Sequence, residues 1–401
     1  MSNTDRVTLL CISSYFKGEA FLRSAHQQGC HVILLTEEKL SDAAWPRDSI
    51  DEFFTTPDLA NTEWVMNTVT YLCRSRHINW IVPLDEYDVL MAAALREHLR
   101  LPGMGESASR FFRDKLAMRM KARESGIRVP DFAPVFNYDD LRAFMQRVPP
   151  PWVLKPRTEA GAMGIKKISE AEQLWRWLDQ LGDRQSHFLL ERYVPGEVFH
   201  VDALIWDGAV VFASVQKYGQ PPMNVAHEGG VFVTYTVERS SADKIALETF
   251  NSQVLNALGM TRGVTHAEYI KAGDGQLYFL EVAARVGGAH IADLIEQTSG
   301  LNLWAEWARL VVADVTGDAY TLPPVHANYG GLLVCLARQE HPELTAYNDA
   351  EVVWRLNKEH HAGLIVVSPH FERVQKLLAA YVPRFAADFL AVAPPKDRPT
   401  N

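Results

Sequence analysis

A lysine at the end of an apolar run, followed by a loop of small residues, is the first feature of this chain that could do chemistry. Lys155 lies in the segment WVLKP, and the next residues, RTEAGAMGI, contain Gly161, Ala162 and Gly164. Small residues let backbone N–H groups come close to an anion, and a nearby ammonium group would add positive charge. The pattern indicates a phosphate-binding loop, and an ordinary mobile hairpin turn is the alternative interpretation.

Two glutamates in consecutive strand-like segments form a second candidate site. Glu268 lies in HAEYI and Glu281 in YFLEVAARVGG, and a short turn at residues 273–275 connects the two segments. Carboxylates that reach one point repel each other unless a cation lies between them, and Mg²⁺ binds one or two carboxylates together with substrate phosphates. The pair therefore predicts a Mg²⁺ site, and structural salt bridges to Arg285 or Lys271 are the alternative.

A third group of residues surrounds the turn after the apolar run HFLL. The segment ERYV, residues 191–194, ends that run, and its backbone could pair with the edge of an adenine ring. In the strand that follows, His200 and Asp202 share one face, while Glu197 precedes them in the turn. A ribose could meet Glu197 or His200, although each residue taken singly is more often an ordinary polar strand residue.

The elements of residues 1–110 predict an open, doubly wound α/β domain. Its apolar runs and helical spacings follow the order strand 7–12, helix 19–28, strand 31–35, helix 64–74 and strand 78–83. Asp85 and Glu86 lie in the exit loop of the last of these strands. The first loop, SSYFKGEA, lacks the GxGxxG pattern, so a dinucleotide is not implied.

Residues 111–320 predict an α+β domain that includes a β-hairpin. The segments behind this prediction are a helix at 109–125, a hairpin formed by WVLKP and KKI, a helix opened by a capping box at 169–172, antiparallel strands within 186–215, a helix at 243–258, and strands at 267–270 and 277–282. Residues 321–401 predict a small C-terminal subdomain, with strands at 331–337 and 363–367 and a helix at 371–381.

Composition places the chain among multi-domain globular proteins. Its 401 residues exceed what one core usually organises, and 47% of them are apolar and 22% charged, close to the average for such proteins. There are 40 Lys and Arg against 49 Asp and Glu, a net charge of −9, without a basic block, so no nucleic-acid partner is expected.

The sequence also predicts a cytoplasmic protein that does not enter membranes. The opening MSNTDRVTLLCISSYF is unlike a secretory signal, and no apolar stretch reaches the ~20 residues that cross a bilayer. Four scattered cysteines, Cys11, Cys30, Cys73 and Cys335, lack the spacing of a zinc or redox site and are interpreted as reduced and structural.

Taken together and in order, these residues resemble the ATP-grasp superfamily. No single element is specific, but the ordered set is: Lys155, the loop at 161–164, residues 191–194, Glu268, Glu281 and Arg285. The likeness runs from about residue 114 to residue 313. It implies an ATP-grasp fold at residues 111–320, in which the hairpin region at about 150–190 would be the nucleotide-binding lid. The opening strand, helix and strand resemble the domain that precedes ATP-grasp in biotin carboxylase and in amino-acid ligases.

The resemblance implies an ATP site. Lys115, in FFRDKLAM, and Lys155 would contact the phosphates, under a loop that contains Gly161, Ala162 and Gly164. The adenine would be held, largely by backbone groups, by Glu191, Arg192, Tyr193 and Val194. Glu197 or His200 would meet the ribose.

It also implies a metal centre and a catalytic arginine. Glu268 and Glu281 would bind Mg²⁺, or Mn²⁺ in its place, and Arg285 would face the acyl phosphate and the oxyanion. One position departs from the family pattern Glu-x-Asn-x-Arg, in which the asparagine binds a second metal ion, because Ala283 cannot bind metal. Either water or another side chain completes the metal shell, or only one ion is held firmly, or turnover has been lost. Because the other charged positions are present, catalysis is expected.

Within the superfamily, the resemblance points to ligases that join an amino acid or a similar small carboxylate to an amine and release ADP and phosphate. The segment QPPMNVAHEGGVFVT would be the substrate loop, with His227, Glu228 and Gly229, and Gly287 and Gly288 would form a flexible turn beside the reacting centre. A carboxylase, a carboxylate–thiol ligase and a non-catalytic ATP-binding regulator are the alternatives. A homodimer is left open.

Overall fold

Residues 6–391, which this computed structural model describes, form three β-sheets with helices packed on their faces. In chain order the strands are β1 Thr8–Ser13, β2 His31–Glu37, β3 Glu52–Thr56, β4 Trp80–Pro83, β5 Phe132–Pro134, β6 Trp152–Pro156, β7 Lys166–Ile168, β8 Phe188–Arg192, β9 Gly196–Trp206, β10 Ala209–Tyr218, β11 Phe232–Thr236, β12 Gly263–Ala272, β13 Leu277–Ala283, β14 Tyr329–Leu336, β15 Val352–Arg355 and β16 His361–Ser368.

The α-helices pack against these sheets and connect their strands. They are α1 Glu19–Gln27, α2 Thr62–Leu72, α3 Val89–Leu99, α4 Glu106–Arg110, α5 Lys115–Glu124, α6 Tyr138–Arg147, α7 Ala171–Leu181, α8 Pro222–Glu228, α9 Ala242–Leu258, α10 Ile291–Ser299, α11 Leu303–Thr316 and α12 Phe371–Asp388. Within residues 6–391, none of these helices is both long enough and apolar enough to cross a membrane.

The N-terminal sheet is parallel and covered on both faces. Its strand order is β3-β2-β1-β4, with every neighbouring pair parallel. Strand β1 sends Leu9 and Cys11 into the core that contains α1, and Leu10 and Ile12 into the opposite core beneath α2 and α3. This alternation of buried side chains is what a strand covered on both faces requires, and it confirms the predicted doubly wound domain.

A small antiparallel sheet, in the order β5-β8-β6-β7, carries the predicted hairpin of β6 and β7. Helices α6 and α7 pack on one face of this sheet. The predicted capping box is wrong in detail, because the N-cap of α7 is Glu170, which makes no side-chain cap hydrogen bond. The amide of Ser169 donates to the side chain of Gln173 at 2.9 Å, so Gln173 takes over the contact that Glu172 was expected to make.

The largest sheet has eight antiparallel strands in the order β13-β12-β9-β10-β11-β14-β16-β15. Its last three strands come from the predicted C-terminal subdomain, and α12 packs over them. That segment therefore shares one continuous sheet with the residues before it. The domain limits at 110 and 320 stay predictions.

The helix predicted at 109–125 is two helices, α4 and α5, because Asp114 caps the second one. The Asp114 carboxylate accepts from the amides of Leu116 at 2.9 Å and Ala117 at 3.4 Å, as expected of an N-cap residue. The same carboxylate pairs with Arg157, and the amide of Lys115 donates to the carbonyl of Arg157 at 2.8 Å. The start of α5 is thereby fixed to the loop that follows β6.

Candidate functional site

A cleft lies between the small sheet and the large sheet, closed on one side by the β6–β7 loop. One part of its wall is apolar and includes Val153, Ile165, Val194, Met223, Ile270 and Leu280. The other part carries charged side chains. A flat aromatic ring suits the first part, and a polyanion with its cation suits the second.

About half of the predicted site residues line this cleft. They are Lys115, Lys155, Gly161, Ala162, Glu191, Arg192, Tyr193, Val194, Glu268 and Glu281. The remaining ones are not part of its lining: Gly164, Glu197, His200, His227, Glu228, Gly229, Arg285, Gly287 and Gly288.

A buried triad holds Lys155 in place. Its ammonium lies 2.6 Å from one oxygen of Glu191, and the guanidinium of Arg119 lies 2.5 Å from the other oxygen. Burial lowers the pKa of Lys155 to about 8, even though the charge of Glu191 opposes that shift. Burial alone would raise the pKa of Glu191, but Arg119 and Lys155 outweigh it and hold that pKa below its usual value.

The Glu191 side chain does not have the role that its place in the ERYV segment suggested, which was to help hold the adenine. Its carboxylate is occupied by the two cations, so an adenine could meet only its backbone. Sequence reasoning did not identify Arg119. Arg119 follows Lys115 by four residues, so both lie on the same side of α5. This spacing is the sequence feature that could have identified Arg119.

Backbone groups at Val194 are well placed for the edge of a base. Val194 lies at the cleft wall in the turn between β8 and β9. Among the hydrogen bonds of residues 6–391, none involves its amide or its carbonyl. One backbone donor and one backbone acceptor at the cleft wall are therefore without a partner among the described residues.

Glu268 and Glu281 are direct neighbours, because they are register partners in the antiparallel pair of β12 and β13. Glu281 lies 3.0 Å from the ammonium of Lys115, which also donates to the carbonyl of Glu159 at 2.5 Å. Glu268 accepts from the hydroxyl of Tyr218 at 2.7 Å. The alternative salt bridges are wrong, because Arg285 and Lys271 pair elsewhere. Two carboxylates on one cleft face suit a hard divalent cation.

A chain of polar residues extends from Glu268 into the large sheet. His266 has one ring nitrogen 3.7 Å from Glu268, and the other 2.9 Å from Asp202, which also contacts His200 at 2.7 Å. Burial alone would lower the pKa of His266, but Asp202 and Glu268 raise it to about 10. Burial alone would raise the pKa of Asp202, yet the two imidazoles hold it well below its usual value.

Arg285 is held by an acid from the N-terminal sheet. Its Nε and one Nη donate to the same oxygen of Glu86 at 3.0 and 2.6 Å, and the other oxygen of Glu86 accepts from Arg113 at 3.0 Å. Burial would raise the pKa of Glu86, but Arg285 and Arg113 lower it to about 2. Glu86 follows β4, where the sequence places it in an exit loop, and it brings the N-terminal domain to the edge of the site.

Neither of the two residues expected at a ribose lines the cleft. His200 is fully buried, and its second nitrogen contacts the hydroxyl of Thr234 at 2.8 Å. It lies directly opposite Glu268 in the antiparallel pair of β9 and β12, and therefore on the same face, but both of its nitrogens are occupied by Asp202 and Thr234. Glu197 is exposed and pairs with Lys217.

The predicted substrate loop contains helix α8 and the start of β11, so it is more ordered than its prolines suggested. Its first residues reach the cleft through Pro221, Pro222 and Met223, whereas His227 and Glu228 are exposed at the far end, before Gly229. His227 instead lines a neighbouring hollow with Ala162, Gly164 and Lys167.

Gly287 precedes a turn that runs from Gly288 to His290, and the predicted flexibility of this segment stays a prediction. A side chain at Gly287 would place its Cβ 2.5 Å from Asp202 and 3.1 Å from His266, so glycine is needed there for close packing. Ala289 and His290, the two residues after Gly288, have positive φ angles in the left-handed region. Gly288 leaves open space beside Arg285, whose nearest nitrogen would be 3.9 Å from an added Cβ.

A second cavity, of about 640 Å³, lies between β4, α3 and α11. Arg96 lines it and donates to the carbonyl of Ile81, and Trp80 and Trp307 are also part of its wall. None of the predicted site residues lies there. The smaller cleft is therefore the candidate site despite its size.

Comparison with known families identifies the two main parts of the chain. Residues 148–293 match the family described as the ATP-grasp domain, and residues 22–103 match the ATP-grasp N-terminal domain.

Similar proteins include the L-arginine-specific L-amino acid ligase of Bacillus subtilis, which is 27% identical over 70% of this chain and 68% of its own length. The D-alanine–D-alanine ligase of Neisseria gonorrhoeae is 21% identical over 45% of this chain and 60% of its own length. The crystal structure of an L-amino acid ligase from Bacillus licheniformis superposes with a TM-score of 0.75 over 97% of this chain and 99% of that one, at 18% identity. That likeness confirms the predicted fold.

The Glu191 triad predicts a large stability effect from a small change. Glu191→Gln leaves two buried cations without an anion, and removing one partner of a buried ion pair typically costs about 3–5 kcal/mol. We expect a clear fall in the urea midpoint of unfolding. The control is Glu170→Gln, which alters an exposed pair with Arg176 and should change the free energy of unfolding by less than about 0.5 kcal/mol. Equal effects of the two substitutions would contradict the triad.

Proposed function

Because the chain belongs to the ATP-grasp superfamily, we propose that it is an ATP-dependent carboxylate–amine ligase that activates a small carboxylate as an acyl phosphate. The observation that carries this proposal is the charged end of the cleft. There, two ammonium groups, Lys115 and Lys155, lie beside the paired carboxylates Glu268 and Glu281. Cations for a polyphosphate and ligands for its metal ion are the groups that phosphoryl transfer needs.

ATP would enter with its adenine against the apolar wall and its edge on the backbone of Val194. Its phosphates would extend toward Lys155 and Lys115, beneath the loop that contains Gly161 and Ala162. Glu191 takes part through Lys155, since it fixes the direction of that ammonium group. No ribose contact is assigned to Glu197 or His200, because neither side chain reaches the cleft.

Glu268 and Glu281 would hold Mg²⁺ or Mn²⁺, and the bound ion would neutralise charge on the phosphates. Lys115 contacts Glu281 at 3.0 Å, so the ammonium lies within reach of both the metal ligand and a phosphate. Tyr218 donates to Glu268 and orients that carboxylate.

The reaction has two steps. A carboxylate oxygen of the acid attacks the γ-phosphorus of ATP, the bond to the bridging oxygen breaks, and ADP leaves. The amine then attacks the acyl carbon, phosphate leaves, and the amine loses a proton. Arg285, held by Glu86, would face the oxyanion of the second step across the open space at Gly288.

Amino acids are the proposed substrates. The relatives from Bacillus subtilis and Neisseria gonorrhoeae are named as ligases of L-amino acids and of D-alanine, respectively. We propose an amino acid as the carboxylate and a second amino acid, or a similar small amine, as the acceptor.

Product analysis tests the proposal. We expect ADP and phosphate when the protein is mixed with ATP, Mg²⁺ and pairs of amino acids, and hydroxylamine should trap a hydroxamate from the acyl phosphate. Glu281→Gln should stay folded and lose this activity, because the amide keeps the shape but not the charge. Glu248→Gln, which alters a pair on α9, is the control. AMP and pyrophosphate as products would exclude the acyl-phosphate route.

Arg285 and Glu86 should act as a unit. Arg285→Ala should lower kcat by about 10²–10³, the usual cost of one oxyanion donor, while the KM for ATP stays near that of the wild type. Arg285→Lys should restore little, because an ammonium cannot reproduce the guanidinium fork. Glu86→Gln should lower kcat in the same direction, since Arg285 loses its anchor. Glu52→Gln, which alters a partly buried pair with Arg76, is the control. Loss of stability without a change in kcat would make Arg285 purely structural.

The depressed pKa of Lys155 predicts a pH dependence of nucleotide affinity. Below its pKa of about 8 the lysine is charged and attracts phosphate. As the pH rises through that value the charge is lost, and the Kd of a non-hydrolysable ATP analogue should increase. Titration calorimetry from about pH 6.5 to about pH 9.5 measures this change. Lys155→Met lacks the titrating group, so the pH dependence of its Kd reflects only the protonation of the ligand. Parallel curves for both proteins would contradict the assignment.

A further inference from the structure

The position that departs from the family pattern has a specific neighbour. Ala283 lies directly opposite His266 in the antiparallel pair of β12 and β13, as Glu281 lies opposite Glu268. Opposite residues of such a pair project to the same face, and so do residues two apart in one strand. His266, Glu268, Glu281 and Ala283 therefore occupy the four corners of one patch. In β12, the side of His266 and Glu268 is partly exposed, while Thr265, Ala267 and Tyr269 are buried.

The imidazole of His266 is held in one orientation. Its Nδ1 lies 2.9 Å from an oxygen of Asp202, whose other oxygen lies 2.7 Å from His200. Gly287 packs its backbone against both Asp202 and His266, where a Cβ would collide. A carboxylate that fixes one nitrogen of a histidine while the other nitrogen binds metal is a recurrent arrangement in metalloproteins.

The other ring nitrogen of His266 lies near Glu268, one of the two proposed metal ligands. Nε2 of His266 lies 3.7 Å from Oε1 of Glu268. Two atoms that bind one small divalent ion, each at about 2.1 Å, lie at most about 4.2 Å apart. The observed separation allows both atoms to bind the same ion.

We propose that His266 is a metal ligand, whose Nε2 binds the divalent cation together with Glu268 and Glu281 in place of the amide that Ala283 lacks. This inference rests on the proposed function, because that function supplies the metal ion. A nitrogen ligand in an otherwise oxygen site shifts preference toward Mn²⁺ and away from Mg²⁺, since imidazole binds transition metals better.

The same contacts of His266 also allow a competing role for this residue. A protonated His266 could donate to Glu268 and neutralise it, and the metal ion would then have oxygen ligands only. The two roles differ in whether a histidine nitrogen is bonded to the ion.

Pulsed EPR of Mn²⁺ bound to the full chain with a non-hydrolysable ATP analogue distinguishes them. Directly bonded imidazole gives a nitrogen hyperfine coupling, which we expect in the wild type and which labelling of histidine with the heavier nitrogen isotope should change. The coupling should vanish in His266→Gln. His341→Ala is the control, because His341 belongs to an exposed cluster with Glu340 and Glu359 that could also attract Mn²⁺. The coupling should persist there.

A rescue experiment adds an independent measurement. His266→Ala should weaken Mn²⁺ binding at least about 10–100-fold, the loss that removal of an outer-shell partner of a metal ligand already causes. Adding Ala283→Asn to this variant returns an amide oxygen from the facing strand and should recover much of the affinity. It should also shift preference back toward Mg²⁺.

The outcomes separate this inference from the proposed function. If the wild type binds Mn²⁺ with the nucleotide, depends on Glu281 for it and shows no histidine coupling, then His266 is not a ligand and the ligase proposal stands. If the wild type binds no Mn²⁺ in the presence of the nucleotide, both are wrong. If His266→Gln unfolds, isotope labelling of the wild type together with His341→Ala still decides whether a histidine of this cleft is bonded to the ion.

Discussion

The need to neutralise buried charge organises the site. A guanidinium or ammonium group removed from water is stable only beside an anion with good geometry. Here Glu191 lies between Lys155 and Arg119, and Glu86 lies between Arg285 and Arg113. Each acid is almost fully buried. The cations that could meet a polyphosphate or an oxyanion are thereby fixed before any substrate arrives, which is the preorganisation that electrostatic catalysis requires.

The same pairs join parts of the chain that fold as different sheets. Glu86 follows β4 of the parallel sheet, and Arg285 follows β13 of the large sheet, 199 residues later. Tyr87, the neighbour of Glu86, donates to Glu159 in the β6–β7 loop at 3.0 Å. The N-terminal domain therefore contacts both Arg285 and the β6–β7 loop, which is proposed to cover the phosphates. A shift of that domain would disturb both at once.

The sequence predicts the parts of this site that depend on local spacing and misses those that depend on distant partners. The opening βαβ unit, the β6–β7 hairpin and the facing carboxylates Glu268 and Glu281 follow from periodicity and turn chemistry. The hydrophobic periodicity did not lead to a prediction of strand β3 or helix α3. His200 looked available because a strand pattern shows which residues share a face but not what covers that face. Arg119 and Glu86 acquire their meaning only from residues far along the chain, which one sequence without a fold cannot pair.

The case of Ala283 shows how strand pairing changes the interpretation of a motif. A motif written along one strand treats each position as the only source of its functional group. In an antiparallel pair, however, the position directly opposite projects to the same face, with Cβ atoms about 4.5–5.5 Å apart. A side chain on either strand can therefore serve the same point in the cleft, and the longer imidazole of His266 reaches farther than an asparagine would. Loss of the asparagine is consequently weak evidence for loss of catalysis. The proposed metal centre should therefore be judged from the paired patch of four residues, which includes the strand that the motif leaves out.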